Sequence, residues 1–245
     1  MKTETRQGIS IVLPCYNPLP GWWQTLQEAI CELERKLPGT PIEYIVSNDG
    51  SANLSLMNIP SLNGIPNLML LDSVINEGKG SAIRKGAAMA RGEIIVYTDI
   101  DFPFGTDPIV EMVRIFHDNP HCAFVYGNRG KDYFEMLPLK RRLVSKVLQV
   151  LNRFFLGKNI TDSQAGIKGF RREILPQLLA TRTNTFIFEI ELILSLLQKG
   201  VKIHGLDVSV KPSVIFTDFS LKVLLREAAS FMKIIIPIRL CKPHS

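Results

Sequence analysis

Short β-branched runs alternate with helix-patterned segments through the first hundred residues of this chain, and the runs break off into polar residues. Strand patterns cover Ile9 to Leu13, Ile42 to Val46, Leu68 to Leu71 and Ile94 to Thr98; helical patterns run from Trp23 to Leu37 and from Gly80 to Ala90. Strands alternating with helices specify an α/β domain, a mostly parallel sheet with helices on both faces. In such sheets ligands bind beyond the carboxyl ends of the strands. There the sequence places Asn17 after the first run, Asp49 after the second, and the pair Asp99 and Asp101 after the last. If these strands are parallel neighbours, their ends meet at one edge.

The second half is less regular. Cys122 to Tyr126 reads as a strand running into Gly127-Asn128-Arg129-Gly130, followed by a basic amphipathic helix from about Leu139 to Leu156. After Asp162-Ser163-Gln164-Ala165-Gly166-Ile167-Lys168 come a helix from Phe188 to Gln198 and a strand from Val201 to Val210. A last amphipathic pattern near 220–238 carries Leu221, Leu224, Leu225, Ala228, Phe231, Met232 and Ile235 on one stripe. With 245 residues and 46% hydrophobic content, one domain spanning 1–245 is expected.

Four scattered cysteines lack a CxxC pair or a zinc-ligand spacing, which favours a reducing compartment over a disulfide framework. No signal-peptide pattern opens the chain, and the apolar stretch Ile234 to Ile238 is far short of the roughly 20 residues of a membrane span. A cytoplasmic location is the expectation. The net charge of +6 suits an anionic partner. Lys140, Arg141, Arg142, Lys146, Arg153 and Lys158 concentrate it in one segment, and no known nucleic-acid-binding motif stands out.

Asp99-Ile100-Asp101 follows a strongly apolar strand. Extended backbone there would put both carboxylates on one side, about 7 Å apart. Such a pair suits Mg²⁺ or Mn²⁺ bridging diphosphate oxygens, because a hard cation of this kind uses one or two carboxylates plus phosphates and water. Asn76-Glu77-Gly78-Lys79-Gly80-Ser81-Ala82 puts glycines and a base at a helix start, which fits either phosphate contact or a tight turn packing the helix on the sheet. It matches neither the P-loop nor GxGxxG. Arg129, Arg141 and Lys168 read singly as solvated charges; their glycine and polar neighbours set them apart. The four histidines share no spacing that suggests a hydrolytic triad.

Taken in order, Ser10-Ile11-Val12-Leu13-Pro14-Cys15-Tyr16-Asn17, Asn48-Asp49-Gly50-Ser51, Asn76 to Ala82, Thr98-Asp99-Ile100-Asp101 and Asp162 to Phe170 resemble family 2 glycosyltransferases of GT-A type. More narrowly they resemble the branch of dolichol-phosphate mannose synthases and polyprenyl-phosphate glucosyltransferases. The resemblance implies that Pro14, Tyr16 and Asn17 line a nucleotide pocket, that Asp49 meets the base or ribose, and that Lys79 lies near the phosphates. It makes Asp101 the main metal ligand, with Asp99 on ribose, sugar or metal, and puts Asp162 and Gln164 beside the donor sugar. Arg129, Arg141 and Ser145 match positions linked to the acceptor phosphate. Pro18 and Pro103 stand where the family often carries Glu and Gln, so water would complete the metal shell. The family's late phosphate-clamp motif is reduced to Phe216 to Lys222.

The implied activity is a metal-dependent inverting transfer of a hexose from a GDP- or UDP-sugar to a polyprenyl phosphate, catalysed around Asp101, Arg129 and Asp162. The enzyme would sit peripherally at an anionic, cytosolic membrane face. An ionised phosphate acceptor needs no general base, whereas a hydroxyl acceptor would, with Asp162 the candidate. Transfer to a soluble or glycan hydroxyl, and a catalytically silent nucleotide-sugar or membrane-binding module, are the competing readings.

Overall fold

A computed structural model describes residues 8–52, 59, 62, 64–130, 133, 160, 162, 164–185 and 187–211. The basic segment from 139 to 156, Arg141, Ser145, Phe216 to Lys222 and the amphipathic pattern near 220–238 lie outside the described residues.

Seven strands form one sheet: β1 (Ile9–Cys15), β2 (Ile42–Asp49), β3 (Leu68–Ser73), β4 (Ile94–Thr98), β5 (Phe124–Arg129), β6 (Ile167–Arg171) and β7 (Ile203–Val208). Their order is β3-β2-β1-β4-β6-β5-β7. All neighbours are parallel except β6, which runs antiparallel to both β4 and β5. The α/β sheet expected from the alternation is therefore present, and its central pairs β2–β1–β4 bring the three predicted strand ends side by side. β6 is an addition: Ile167-Lys168-Gly169-Phe170 interrupts apolar residues with a charge and a glycine, which hides the strand in the sequence. A side chain at Gly169 would press on Met112 and Phe116, so glycine there lets a helix close on the sheet.

Five α-helices are described: α1 (Trp22–Lys36), α2 (Lys79–Met89), α3 (Asp107–Asp118), α4 (Leu175–Leu179) and α5 (Phe188–Gln198). α3 has a helix-start signal in Asp107-Pro108, and buries Ile109, Val110, Met112, Val113 and Phe116. α1 buries Trp22, Leu26, Ala29, Ile30 and Leu33 at helical spacing. These two helices share one core with Ile11, Leu13 and Val96. On the opposite face, residues from α2, α4 and α5 form a second core with Val12, Ile45, Ile95 and Phe124. Each large aliphatic residue buried there contributes roughly 1.5–3 kcal/mol. The central strands β1, β2 and β4 are buried along their whole length, and exposed Tyr16 and Asp101 follow the ends of β1 and β4.

Candidate active site

β4 stops at Thr98, and the backbone turns at once: the Phe102 N–H donates to the Asp99 carbonyl at 3.0 Å. Phe102 adopts φ 46 with its ring fully buried. A left-handed aromatic residue costs of order 1–3 kcal/mol, held here by a ring locked in the core. The two carboxylates are thus set by a tight turn, and the expected extended alternation is corrected. They still interact. Although Asp101 opens to solvent, its buried surroundings and then the charge of Asp99 push its carboxyl above the ordinary range.

Asp99 meets the first residue of α2. Lys79 Nζ lies 2.5 Å from Asp99 Oδ1. Burial alone would lower the Lys79 ammonium, but Asp99 and Glu189 outweigh it and raise it. Gly166 closes against the pair, since a Cβ there would overlap Asp99 Oδ2 and lie 3.3 Å from Lys79 Nζ. Lys79 is paired with Asp99, and Asp101 acts on it only through its charge; two carboxylates at a strand end are a donor set that fits a divalent cation. Among the described residues no group of three or more His, Cys, Asp or Glu could hold a metal.

A second ion pair is buried beside the β5 end. Arg129 gives Nε to Asp162 Oδ2 at 2.6 Å, Nη2 to Oδ1 at 2.8 Å, and its backbone N–H to Oδ2 at 3.1 Å. The Gln164 N–H reaches Oδ1 at 3.1 Å. Burial pulls the Asp162 carboxyl up, but the charge and hydrogen bonds of Arg129 win and hold it below the usual range. Arg129 also donates to the Tyr133 hydroxyl at 2.9 Å and stacks 4.4 Å from its ring centroid. Asp162 is 3% exposed. Four hydrogen bonds on its two oxygens make it a counter-ion and a weak base.

Lys168 is the largest departure from the reading as solvated charge. It is fully buried on β6, in register with Tyr97 of β4 and Tyr126 of β5. Its ammonium lies 2.6 Å from Glu189 Oε1 and donates to the Ala165 carbonyl at 2.5 Å. The Tyr97 hydroxyl donates to the same Glu189 oxygen at 3.1 Å. Burial, the dominant effect, lowers the Lys168 ammonium despite Glu189. Glu189 is not marked out in the sequence, because it shares the first turn of a largely apolar helix with a second acid, Glu191.

The residues expected to line a nucleotide pocket lie at the ends of β1 and β2. Pro14 and Cys15 are buried in β1, and burial lifts the Cys15 thiol to about 12. Tyr16 is 54% exposed, and Asn17 takes φ 44 with its N–H donating to the Ser51 hydroxyl at 2.8 Å. Asp49 accepts from the backbone N–H groups of Glu77 at 3.0 Å and Gly78 at 2.7 Å, tying β2 to the approach of α2. The glycine-rich turn packs closely on a neighbouring segment. The Gly80 N–H donates to the Asn184 carbonyl at 2.9 Å, and side chains at Gly78 or Gly80 would collide with the backbone of Asn184 and Thr183. Arg84 holds that segment with bonds to Thr181 Oγ1, the Thr183 carbonyl and Asn184 Oδ1.

Lys211 is a further addition: its N–H donates to the Pro103 carbonyl at 2.8 Å and its charge acts on Asp101. The edge therefore gathers Asp99, Asp101, Lys79, Arg129, Asp162 and Lys211 from five separate segments.

Comparison with known proteins places this geometry. The chain is 26% identical over 217 residues to a dolichyl-phosphate β-glucosyltransferase of Drosophila melanogaster, covering 83% of this chain and 66% of that protein. It is 27% identical over 205 residues to the human dolichyl-phosphate β-glucosyltransferase, with 78% and 63% covered. The chain spans less than two thirds of the length of these curated relatives. Among solved structures, glucosyl-3-phosphoglycerate synthase from Mycobacterium tuberculosis, in complex with Mn²⁺, UDP and glucosyl-3-phosphoglycerate, superposes with TM-score 0.68 at 19% identity, covering 98% of this chain and 82% of that one. Mannosyl-3-phosphoglycerate synthase from Rubrobacter xylanophilus gives TM-score 0.71 at 17% identity, with 96% and 75% covered. These likenesses establish the GT-A fold. The model of glycosyl transferase family 2 matches residues 10–179, more than half of the sequence, and the chain belongs to that family.

Proposed function

We propose that this glycosyltransferase moves a hexose from a UDP- or GDP-sugar to a polyprenyl phosphate, with inversion, at the cytosolic face of a membrane. The observation that carries the choice of acceptor is the state of Asp162. A hydroxyl nucleophile must surrender its proton to a base in reach. Asp162 is the candidate base, and its carboxylate is saturated by Arg129 and the Gln164 N–H and held below its ordinary range. A lipid phosphate arrives ionised and needs no such base. The names of the dolichyl-phosphate relatives support the same acceptor.

In this reading Pro14, Tyr16, Asn17 and Asp49 form the nucleotide end of the cleft and Gln164 borders the sugar. Arg129, Arg141 and Ser145 receive the acceptor phosphate. An acceptor oxygen attacks the anomeric carbon as the bond to the diphosphate breaks, and the bonding electrons leave with the diphosphate. Lys79 and Lys211 supply positive charge on the leaving-group side. Asp101, with Asp99, would hold Mg²⁺ or Mn²⁺, whose role when bound is to neutralise the diphosphate. The basic segment from 139 to 156 would meet anionic lipid and bring the lipid phosphate to Arg129.

A thermal-shift panel of nucleotide sugars with and without Mg²⁺ or Mn²⁺ tests the donor half. A matching donor at about 100 times its dissociation constant stabilises the fold by roughly 2.7 kcal/mol. No metal-dependent shift with any hexose donor would count against it.

A further inference from the structure

Between the Lys79–Asp99 pair and the Arg129–Asp162 pair lies a third ion pair that neither donor nor acceptor is assigned to touch. Lys168 is fully buried in the sheet, and Glu189, 4% exposed, comes from the first turn of α5. Glu189 acts electrostatically on Lys79 on one side and on Arg129 on the other. Its Oε1 is shared by Lys168 and by the Tyr97 hydroxyl, which anchors it to β4. Lys168 passes the constraint on: its ammonium holds the Ala165 carbonyl at 2.5 Å, the same carbonyl that closes a turn with the Ile167 N–H at 2.7 Å. That turn carries Gly166 onto Asp99 and follows directly from Asp162 and Gln164.

Burying a lysine and a glutamate together is a poor way to stabilise a core, since well-packed apolar residues of similar volume do as well or better. The pair holds a fixed hydrogen-bonded geometry in return. We infer that Lys168 and Glu189 are positioning residues: they set the Asp162–Gly166 turn, and with it the acceptor side of the cleft, against the carboxylates at the end of β4. This rests on the proposed transfer reaction and adds residues that act on it through others. Orientation of reacting groups is worth large factors, and a misplacement of about 1 Å costs about 100-fold in rate.

The test uses the full chain with Glu189→Gln, which keeps the size and the Tyr97 bond while removing the charge, and the double variant Lys168→Met with Glu189→Gln, which leaves no unpaired charge. Transfer kinetics, nucleoside diphosphate binding by calorimetry and hydrogen exchange over residues 162–167 are compared with the parent. The proposed nucleotide end is built on β1 and β2, which β4 separates from the β6 strand of Lys168. Glu189→Gln should therefore lower kcat by about tenfold or more while nucleotide affinity stays near the parent's, with faster exchange in the 162–167 turn; it also leaves the buried Lys168 charge without its partner and lowers the melting temperature, a loss that the double variant should largely recover. The double variant should fold and be slower still; if it does not fold, Glu189→Gln alone decides. Parent-like kcat and exchange in Glu189→Gln would overturn the inference, as would a kcat loss matched by lost nucleotide affinity, or a folded double variant with parent-like kcat. A parent chain that transfers to no acceptor, yet shows the exchange change in the variant, would instead count against the proposed reaction.

Discussion

Gly166 lies against Asp99 so closely that a Cβ at position 166 would overlap the Asp99 carboxylate, which is itself paired with Lys79 at 2.5 Å. The glycine is needed for that approach; its φ lies outside the left-handed region, so the obstacle to alanine is the contact with Asp99 and Lys79. Gly166→Ala should consequently turn the Asp99 side chain and part it from Lys79. Transfer activity should fall by about tenfold or more, with stability changed by about 1 kcal/mol or less. Thermal melts run beside a transfer assay separate the two effects.

The Arg129–Asp162 pair should show in the acid stability of the protein. The folded Asp162 carboxyl titrates below its ordinary value of 3.8, so near that value the unfolded chain binds more protons and stability rises with pH. Its contribution is complete above about pH 5 and is lost as pH falls through the folded value. Asp162→Asn leaves Arg129 buried without its counter-charge and should cost about 3 kcal/mol at neutral pH, while flattening the acid limb. Urea titrations from pH 3 to pH 7 measure both, with the pH range set by the carboxylate values.

Asp49, which the proposal puts at the nucleotide end of the cleft, accepts two backbone N–H bonds, from Glu77 and Gly78. Asp49→Ala should then cost about 1–3 kcal/mol of stability through the donors left unsatisfied, as well as weakening nucleotide binding. Denaturant unfolding and calorimetry report the two losses separately. Weaker nucleotide binding with stability unchanged would mean that the loop stays in place without Asp49.

Much of this edge was legible in the sequence because strand ends are marked by chemistry as well as by pattern. Asn17, Asp49 and Asp99 each follow an apolar run, and the β2-β1-β4 adjacency puts them together. The turn at Asp99-Ile100-Asp101 was not legible, since the left-handed Phe102 depends on a core pocket formed by distant residues. Nor was the burial of Lys168, whose partner Glu189 stands on another element with no periodic relation to it. The glycines around Lys79 looked alike for phosphate contact and for packing; the packing shows only in the approach of Thr183 and Asn184.

Membrane association should reside in the basic segment from 139 to 156. Co-sedimentation with anionic vesicles should increase with the fraction of anionic lipid and fall with salt, each basic residue near the surface contributing about 1 kcal/mol. Arg141→Ala combined with Lys146→Ala should weaken it. Equal recovery in the supernatant with and without anionic vesicles would remove the peripheral-membrane proposal.

The most direct measurement is transfer of labelled hexose from UDP- and GDP-sugars to a short-chain polyprenyl phosphate, with Mg²⁺ or Mn²⁺ present or chelated, for the parent chain and for Asp101→Asn. The expected result is a polyprenyl-phosphate hexose of inverted configuration, released nucleoside diphosphate in equal amount, and loss of both on chelation or in a folded Asp101→Asn chain. Glycosylation of a soluble hydroxyl acceptor such as 3-phosphoglycerate with none on the lipid phosphate, or full turnover by Asp101→Asn, would contradict it.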